Sequence, residues 1–275
     1  MPTTYTPLRY PGGKTRLYPF MRALMEANGL LGRPYAEPFA GGAGLAVKLL
    51  LCEDVPRIVL NDADRAVYCL WWAVVRRPED LCGFVEDVVL DLATWRHHRD
   101  VYVHAGEAEP LELAEATLYL NRTNVSGILG ARPMGGLGQQ GACRLGDRFN
   151  RETLKRKIRR IASHADRIEV TCMDAVDFIE DRLGGGIAFA YLDPPYVRQG
   201  PGLYGRSLSP GGHRRLAESL SRCPCRWAMT YDDDGLVDEL YGGLPSRWLG
   251  LAYSANRRTV GAQRAILGPG LRWPS

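Results

Sequence analysis

The chain has 275 residues, a formal net charge of +4, 45% hydrophobic and 24% charged residues. This composition excludes a disordered, collagen-like or membrane-embedded chain, and no apolar run approaches the length of a membrane span. Seven cysteines are scattered through it and only Cys223-Pro224-Cys225 forms a close pair. A disulfide framework and a structural zinc site are therefore excluded, no metal is expected, and reduced thiols in a cytoplasmic protein are expected. Met1 to Tyr5 does not read as a signal peptide. The charge is uneven: from Arg122 to Arg167 there are eleven Lys/Arg and three Asp/Glu, a local +8 that leaves −4 for the rest. Such asymmetry suits a polyanion surface, although a basic run also fits a solvated helix face.

In chain order, Leu8 to Lys14 is a loop containing Pro11-Gly12-Gly13, and a helix is expected over Thr15–Leu31. Lys14 beside a helix N-terminus suits an anion. Gly-Lys-Thr also ends nucleotide-binding P-loops, but the glycine required six residues before the lysine is Leu8 here. Pro34 to Gly44, followed by apolar Leu45–Leu51, reads as strand, glycine turn and helix. Arg57–Asp62 reads as a second strand ending in an acid. Asp62 lies about 20 residues beyond the glycines, the spacing at which doubly wound folds place a carboxylate on ribose hydroxyls. A helix over Asp64–Val75 ends before Pro78, and the α/β alternation then stops. Helices are expected at Glu79–Leu90, Asp91–Val103 and Glu112–Thr123. Arg96-His97-His98-Arg99 puts its histidines on different helix faces, so a solvated surface is expected there.

A polar run, Asn121–Gly127, carries Arg122 and Asn124. The glycine-rich, strand-poor stretch Ile128–Gly146 follows, with Arg132, Gln139, Gln140 and Arg144. Arginine and glutamine pair bidentately with guanine and adenine edges, so these six residues are the candidate nucleic-acid contacts; a polar loop without that role has the same composition. Arg151–Ala165 reads as a basic helix. The alternation resumes with a strand at Arg167–Cys172, and Asp174 after it fits either a ligand carboxylate or the N-cap of a helix over Ala175–Leu183. Ile187–Leu192 is a buried strand that delivers Asp193-Pro194-Pro195-Tyr196 to the C-terminal edge of a parallel sheet. A glycine-rich loop at Gly200–Gly212 containing Tyr204, a helix at His213–Ser221, a strand at Arg226–Tyr231 and a helix at Gly235–Tyr241 come next. Trp248–Ser254 and Gln263–Leu267 close the chain as a β-pair around a positively charged turn, Asn256-Arg257-Arg258.

Asp193 to Tyr196 carries the chemistry. Two successive prolines forbid a helix after the strand and fix an extended turn whose carbonyls lack ladder partners. Asp193 and the Pro194 carbonyl can accept both N–H bonds of an amine on a planar base, and Tyr196 can stack on the ring. Accepting those protons localises the nitrogen lone pair and makes the amine a better nucleophile. The same tetrapeptide also fits a strand-end aspartate capping a turn, with Tyr196 as packing.

Taken together, Leu8–Lys14, Glu37–Gly44, Asp62, Asn121-Arg122 and Asp193–Tyr196 resemble the Dam-type (D12-class) N6-adenine DNA methyltransferases, in the same order along nearly the whole chain. The resemblance implies an α/β, Rossmann-like methyltransferase sheet, S-adenosylmethionine as cofactor, and an inserted, mainly helical DNA-recognition domain at 75–165 between catalytic parts at 1–74 and 166–275. It implies that Tyr10, Lys14, Glu37, Phe39 and Gly41 line the cofactor site. It adds Asp62 on the ribose and Asp174, or less well Asp177, near the cofactor adenine. Asp193, Pro194 and Tyr196 would hold an adenine flipped from double-stranded DNA. A monomer is expected because each strand carries its own target, with a dimer as the alternative, and restriction-modification, phage and housekeeping methylation are alternative settings. The family loop commonly reads Phe-x-Gly-x-Gly, whereas Ala43 stands at the second glycine here. RNA adenine, cytosine N4 and a non-catalytic nucleic-acid-binding role are the alternatives.

Overall fold

The structure is a computed structural model that describes residues 5–9, 14–197, 208–255 and 257–274, without the side chains of 251–262. Tyr10, Tyr204 and Asn256 lie outside the described residues. The fold is mixed α/β, with one seven-stranded sheet. Its strands are β1 (Tyr35–Glu37), β2 (Ile58–Asn61), β3 (Ile168–Thr171), β4 (Phe189–Leu192), β5 (Arg226–Tyr231), β6 (Ser246–Ala255) and β7 (Arg257–Leu267). The order across the sheet is β3-β2-β1-β4-β5-β7-β6. β1 runs parallel to both β2 and β4, β4 parallel to β5, and β7 antiparallel to β5 and β6. This is the Rossmann-like, doubly wound arrangement expected from the sequence, and its order reverses between β1 and β4.

The chain divides into two compact units: residues 14–63 with 173–275, and residues 1–13 with 64–172. In the first unit, β1, β2 and β4 are buried at every position, which is why their sequences are apolar on both faces rather than alternating, up to the polar Glu37 and Asn61 at the ends of β1 and β2. The helices are α1 (Tyr18–Ala27), α2 (Gly44–Leu51), α8 (Ala175–Arg182), α9 (Pro210–Arg222) and α10 (Gly235–Tyr241). α8, α9 and α10 contribute Phe178, Leu216, Leu220 and Tyr241 to a core with Trp227 and Tyr231 of β5.

Several boundaries differ from expectation. The helix expected from Thr15 begins as a 3-10 turn, Lys14–Leu17, and α1 stops where the Asn28 amide takes the Leu24 carbonyl at 2.7 Å. Pro210–Gly212, expected as loop, forms the first turn of α9. Ser209 caps it by accepting from the Gly212 N–H, and Pro210 needs no donor there. The closing β-pair is longer than expected at both strands, starting at Ser246 and running through Leu267.

The second unit is helical between Asp64 and the short strand β3: α3 (Arg65–Arg76), α4 (Pro78–Asp87), α5 (Leu92–Val103), α6 (Pro110–Thr123) and α7 (Arg151–Ala162). Its boundaries follow capping chemistry. Asp64, Asp91 and Asn150 cap α3, α5 and α7, while Pro78 and Pro110 open α4 and α6. Arg151 then closes α4, placing its guanidinium on the orphan carbonyls of Val85, Glu86 and Val88.

Candidate active site

Two strand ends, those of β1 and β4, build the site, all within the unit formed by 14–63 and 173–275. β1 ends in Glu37, which is 5% exposed. One carboxyl oxygen accepts from the Tyr35 hydroxyl and from the Ala46 N–H, both at 2.9 Å. Burial pushes the Glu37 carboxyl up to about 8 and the charge of Asp193 adds to the rise, while the two donors oppose it. Glu37 is therefore mainly protonated at neutral pH.

After Pro38 and Phe39 the chain turns sharply. The Ala40 N–H bonds the Asn61 carbonyl at 2.8 Å, and the Gly41 N–H bonds a carboxylate oxygen of Asp62 at 2.8 Å. Ala43 sits in the left-handed region (φ 42°), where the family pattern has its second glycine. Gly44 opens α2 where a Cβ would lie 2.4 Å from the Thr15 hydroxyl, so only glycine lets the 14–17 turn pack there. Asn61, fully buried, ties the turn to the strand-end segment at 173–174: its amide donates to the carbonyls of Pro38 (3.1 Å) and Met173 (3.0 Å) and accepts the Met173 N–H (3.0 Å). Asp174 caps α8 by accepting from the Val176 N–H, and its side chain is exposed. Phe39 packs against the core.

At the end of β4, Asp193 and Tyr196 meet Lys14. The Lys14 ammonium lies 3.0 Å from Asp193 Oδ1, donates to the Tyr196 hydroxyl at 3.0 Å and to Gln263 Oε1 at 3.1 Å, and stands 5.3 Å from the Tyr196 ring centre. Thr230 on β5 donates its hydroxyl to the same Asp193 oxygen at 3.0 Å, and the Tyr191 hydroxyl lies 2.6 Å from Thr230 Oγ1. Asp232, beyond β5, accepts from the Val197 N–H and pins the far side of the turn. Pro194 is buried. The structure thus brings together Lys14, Asp193 and Tyr196 of the expected residues, and Gly41 with Asp62.

Of the six candidate nucleic-acid contacts, all in the other unit, Arg132, Gln140 and Arg144 are exposed. The remaining three shape the loop. Asn124 is fully buried, accepting from the Trp95 indole (2.7 Å) and donating to the carbonyls of Ile128 and Leu129. Gln139 donates to the Met134 and Gly136 carbonyls and accepts from the Leu145 N–H. The Arg122 guanidinium binds the carbonyls of Arg148 and Pro7. Burial, then the nearby Arg9 and Arg148, bring it down to about 10. Much of the positive charge of α7 is answered inside the unit by acids outside the basic segment: Arg159 pairs with Glu79, and Lys155 with Glu86. Lys157 donates to the Thr6 carbonyl, and Arg160 stacks over Tyr5. Arg156 remains exposed.

Sequence reasoning passed over Asn61, Tyr191, Thr230 and Gln263. Asn61 and Thr230 had a signal, each a polar residue following an apolar run near the end of its strand. Gln263 had none, because its partner Lys14 is 249 residues away.

Residues 10–260 match the family described as D12 class N6 adenine-specific DNA methyltransferase. The chain belongs to that family. Among solved structures, the methyltransferase domain of bacterial CtHen1 shares 11% identity with this family member, at a TM-score of 0.39 over 93% of this chain and 98% of that one. A proposed RNA methyltransferase from Pyrococcus horikoshii shares 9%, at a TM-score of 0.36 over 98% of this chain and 88% of that one. No curated protein sequence matches the chain. Among the described residues no helix is long and apolar enough to cross a membrane.

Proposed function

We propose that this D12-family methyltransferase transfers a methyl group from S-adenosylmethionine to the N6 amino group of adenine in double-stranded DNA. The observation that carries the reading is the trio at the end of β4: a carboxylate and a tyrosine ring three residues apart, both held by the Lys14 ammonium. The strand end of β1 beside it has the donor set the cofactor needs. The N-cap residue Ala43 gives α2 no side-chain cap, and Glu37 takes the Ala46 N–H as a neutral acceptor, which leaves the N-terminal dipole for a carboxylate. Asp62 stands at the ribose spacing and Asp174 at the next strand end, and the neutral Glu37 floors the turn without a competing charge. Glu37, Phe39, Gly41, Asp62 and Asp174 would hold the cofactor, with Tyr10 and Lys14 assigned there by the family pattern alone. When bound, it supplies an electrophilic methyl group on a sulfonium.

The protein's own groups orient the nucleophile. The target base leaves the stack at a cost of a few kcal/mol and lies against Tyr196. Asp193 and the Pro194 carbonyl accept the amine protons. Positive charge develops on the nitrogen as the methyl arrives, and the Asp193 carboxylate meets it without reorganising. Arg132, Gln140 and Arg144 are the exposed candidates for reading the sequence around the target, on a loop whose shape Asn124, Gln139 and Arg122 maintain.

The test is modified-base sequencing of DNA from cells expressing the protein, beside an Asp193→Ala control. N6-methyladenine in one sequence context, absent from the control, is the expected result. Adenine unmodified in both samples, or a mark that persists in the control, sinks the reading; a mark on RNA adenine or cytosine N4 moves the same chemistry to that substrate.

A further inference from the structure

Asp193 receives its two donors, the Lys14 ammonium and the Thr230 hydroxyl, on one oxygen, Oδ1. Among the described residues none reaches Oδ2. A carboxylate rotates easily about its terminal torsion, whose preferences are broad and two-fold. Two donors converging on one oxygen from different segments remove that freedom. We propose that Lys14 and Thr230 form a clamp that locks Oδ1 and presents Oδ2 to the amine of the substrate base, and that Tyr191 and Gln263 act through them as positioning residues. This rests on the reading of Asp193 as the amine acceptor.

The hydrogen-bond inventory gives the clamp a direction. An ionised carboxylate only accepts, so the single Thr230 hydroxyl proton points to Asp193. The Tyr191 hydroxyl, 2.6 Å away, must then donate to Thr230. The chain runs Tyr191 to Thr230 to Asp193, with Tyr191 and Thr230 both about fully buried (2% and 1% exposed) and shielded from competing water. On the other side, the three N–H donors of Lys14 match three acceptors: Asp193 Oδ1, the Tyr196 hydroxyl and Gln263 Oε1. Lys14 thereby fixes the acceptor and the stacking ring relative to each other. The family resemblance places this lysine on the cofactor, so the two assignments predict different kinetics.

The test compares wild type with Thr230→Val, Thr230→Ser, Tyr191→Phe and Lys14→Met. Methyl transfer from tritiated S-adenosylmethionine to DNA bearing the sequenced target gives kcat and KM, and calorimetry gives cofactor affinity. Thr230→Val keeps the side-chain shape and removes the donor. Its kcat falls about 10- to 100-fold, the scale of a misaligned reactive group, while KM for DNA and cofactor Kd stay within about twofold. Thr230→Ser restores most of the rate. Tyr191→Phe lowers kcat in the wild-type background and lowers it much less when added to Thr230→Val, because its part in the clamp runs through that hydroxyl. Lys14→Met lowers kcat and raises KM for DNA, with cofactor affinity kept.

A Thr230→Val enzyme with wild-type kcat, or one that Thr230→Ser does not rescue, overturns the clamp. If Thr230→Val does not fold, Tyr191→Phe decides, and an unchanged kcat there overturns it. A Lys14→Met enzyme that loses cofactor affinity about tenfold at unchanged kcat returns Lys14 to the cofactor site and removes its half of the clamp. Wild type without methyl transfer to any nucleic acid sinks the proposed function and the clamp with it; an active wild type with an insensitive Thr230→Val sinks the clamp alone.

Discussion

Glu37→Gln isolates the cost of a buried acid. The carboxyl is enclosed, held up to about 8 chiefly by burial against an ordinary value of 4.5, and neighboured by neutral donors rather than a cation. The folded protein keeps this proton to higher pH than the unfolded chain does, so unfolding releases it. Stability from this group is fully present below about pH 4.5 and is lost as pH rises toward 8. At about 1.4 kcal/mol per unit, the wild type loses roughly 3 kcal/mol from this residue between pH 5.5 and 8.5. Glutamine copies the shape and hydrogen bonding of the neutral acid and has no proton to lose. Urea unfolding followed by tryptophan fluorescence, for both proteins at both pH values, gives the difference of differences and cancels the other titrating groups. The variant should be similar to wild type or modestly different at pH 5.5 and gain about 3 kcal/mol relative to it at pH 8.5. Parallel pH profiles would refute a neutral, desolvated Glu37.

Two backbone predictions follow from the same geometry. Ala43, 3% exposed and left-handed at φ 42°, tolerates no branched side chain. Ala43→Val should cost about 2 kcal/mol or more in thermal or urea unfolding, while Ala43→Gly stays within about 1 kcal/mol of wild type; equal stabilities of Val and Ala would show that the turn is not held in this conformation. Gly127 has φ +77°, and a Cβ there would lie 2.4 Å from the Arg9 carbonyl that Asn121 also binds. Gly127→Ala should therefore lower stability by about 2–4 kcal/mol, read by the same unfolding assay, and a neutral substitution would contradict the close approach of Arg9.

The strands were legible wherever both faces are buried, because Tyr35–Ala36, Ile58–Leu60 and Phe189–Leu192 are apolar on successive residues, with Glu37 and Asn61 marking two of the strand ends. Helix starts were legible where Asp64, Asp91 and Asn150 stand before them. The turn tetrapeptide was legible because two prolines leave one backbone option. What stayed hidden depends on distance along the chain. Nothing local to Gln263 points to Lys14, and nothing local to Thr230 says that its hydroxyl ends on Asp193 rather than on its own helix-like or strand neighbours. The charge of α7 was visible, but its neutralisation was not, since Glu79 and Glu86 sit some 70 to 80 residues from their partners. Net charge per segment describes composition, and the exposed field depends on which acids the fold returns to that segment.

The two acids at the ends of β1 and β4 show why this field matters within the site. Glu37 and Asp193 are close enough that the charge of Asp193 adds to the rise at Glu37. The fold gives them opposite surroundings. Glu37 receives a phenol and a backbone amide, both neutral, while Asp193 receives an ammonium. If both carried charge, an amine approaching the pocket would meet two competing acceptors, and the developing positive charge on nitrogen would have no single place to settle. Keeping Glu37 protonated leaves Asp193 as the anion at this strand edge. The same reasoning explains why Lys14 is compatible with catalysis although it brings positive charge near a nitrogen that becomes positive. It is held on Oδ1, and in the proposed clamp the base would meet Oδ2, with the carboxylate between the ammonium and the nitrogen. Exchanging the two environments, with the ammonium on Glu37 and the neutral donors on Asp193, would place the anion on the turn proposed to carry the cofactor and leave the proposed amine without a charged partner. On the proposed function, the arrangement of donors around two carboxyl groups, more than the presence of either acid, is what suits this edge to methyl transfer.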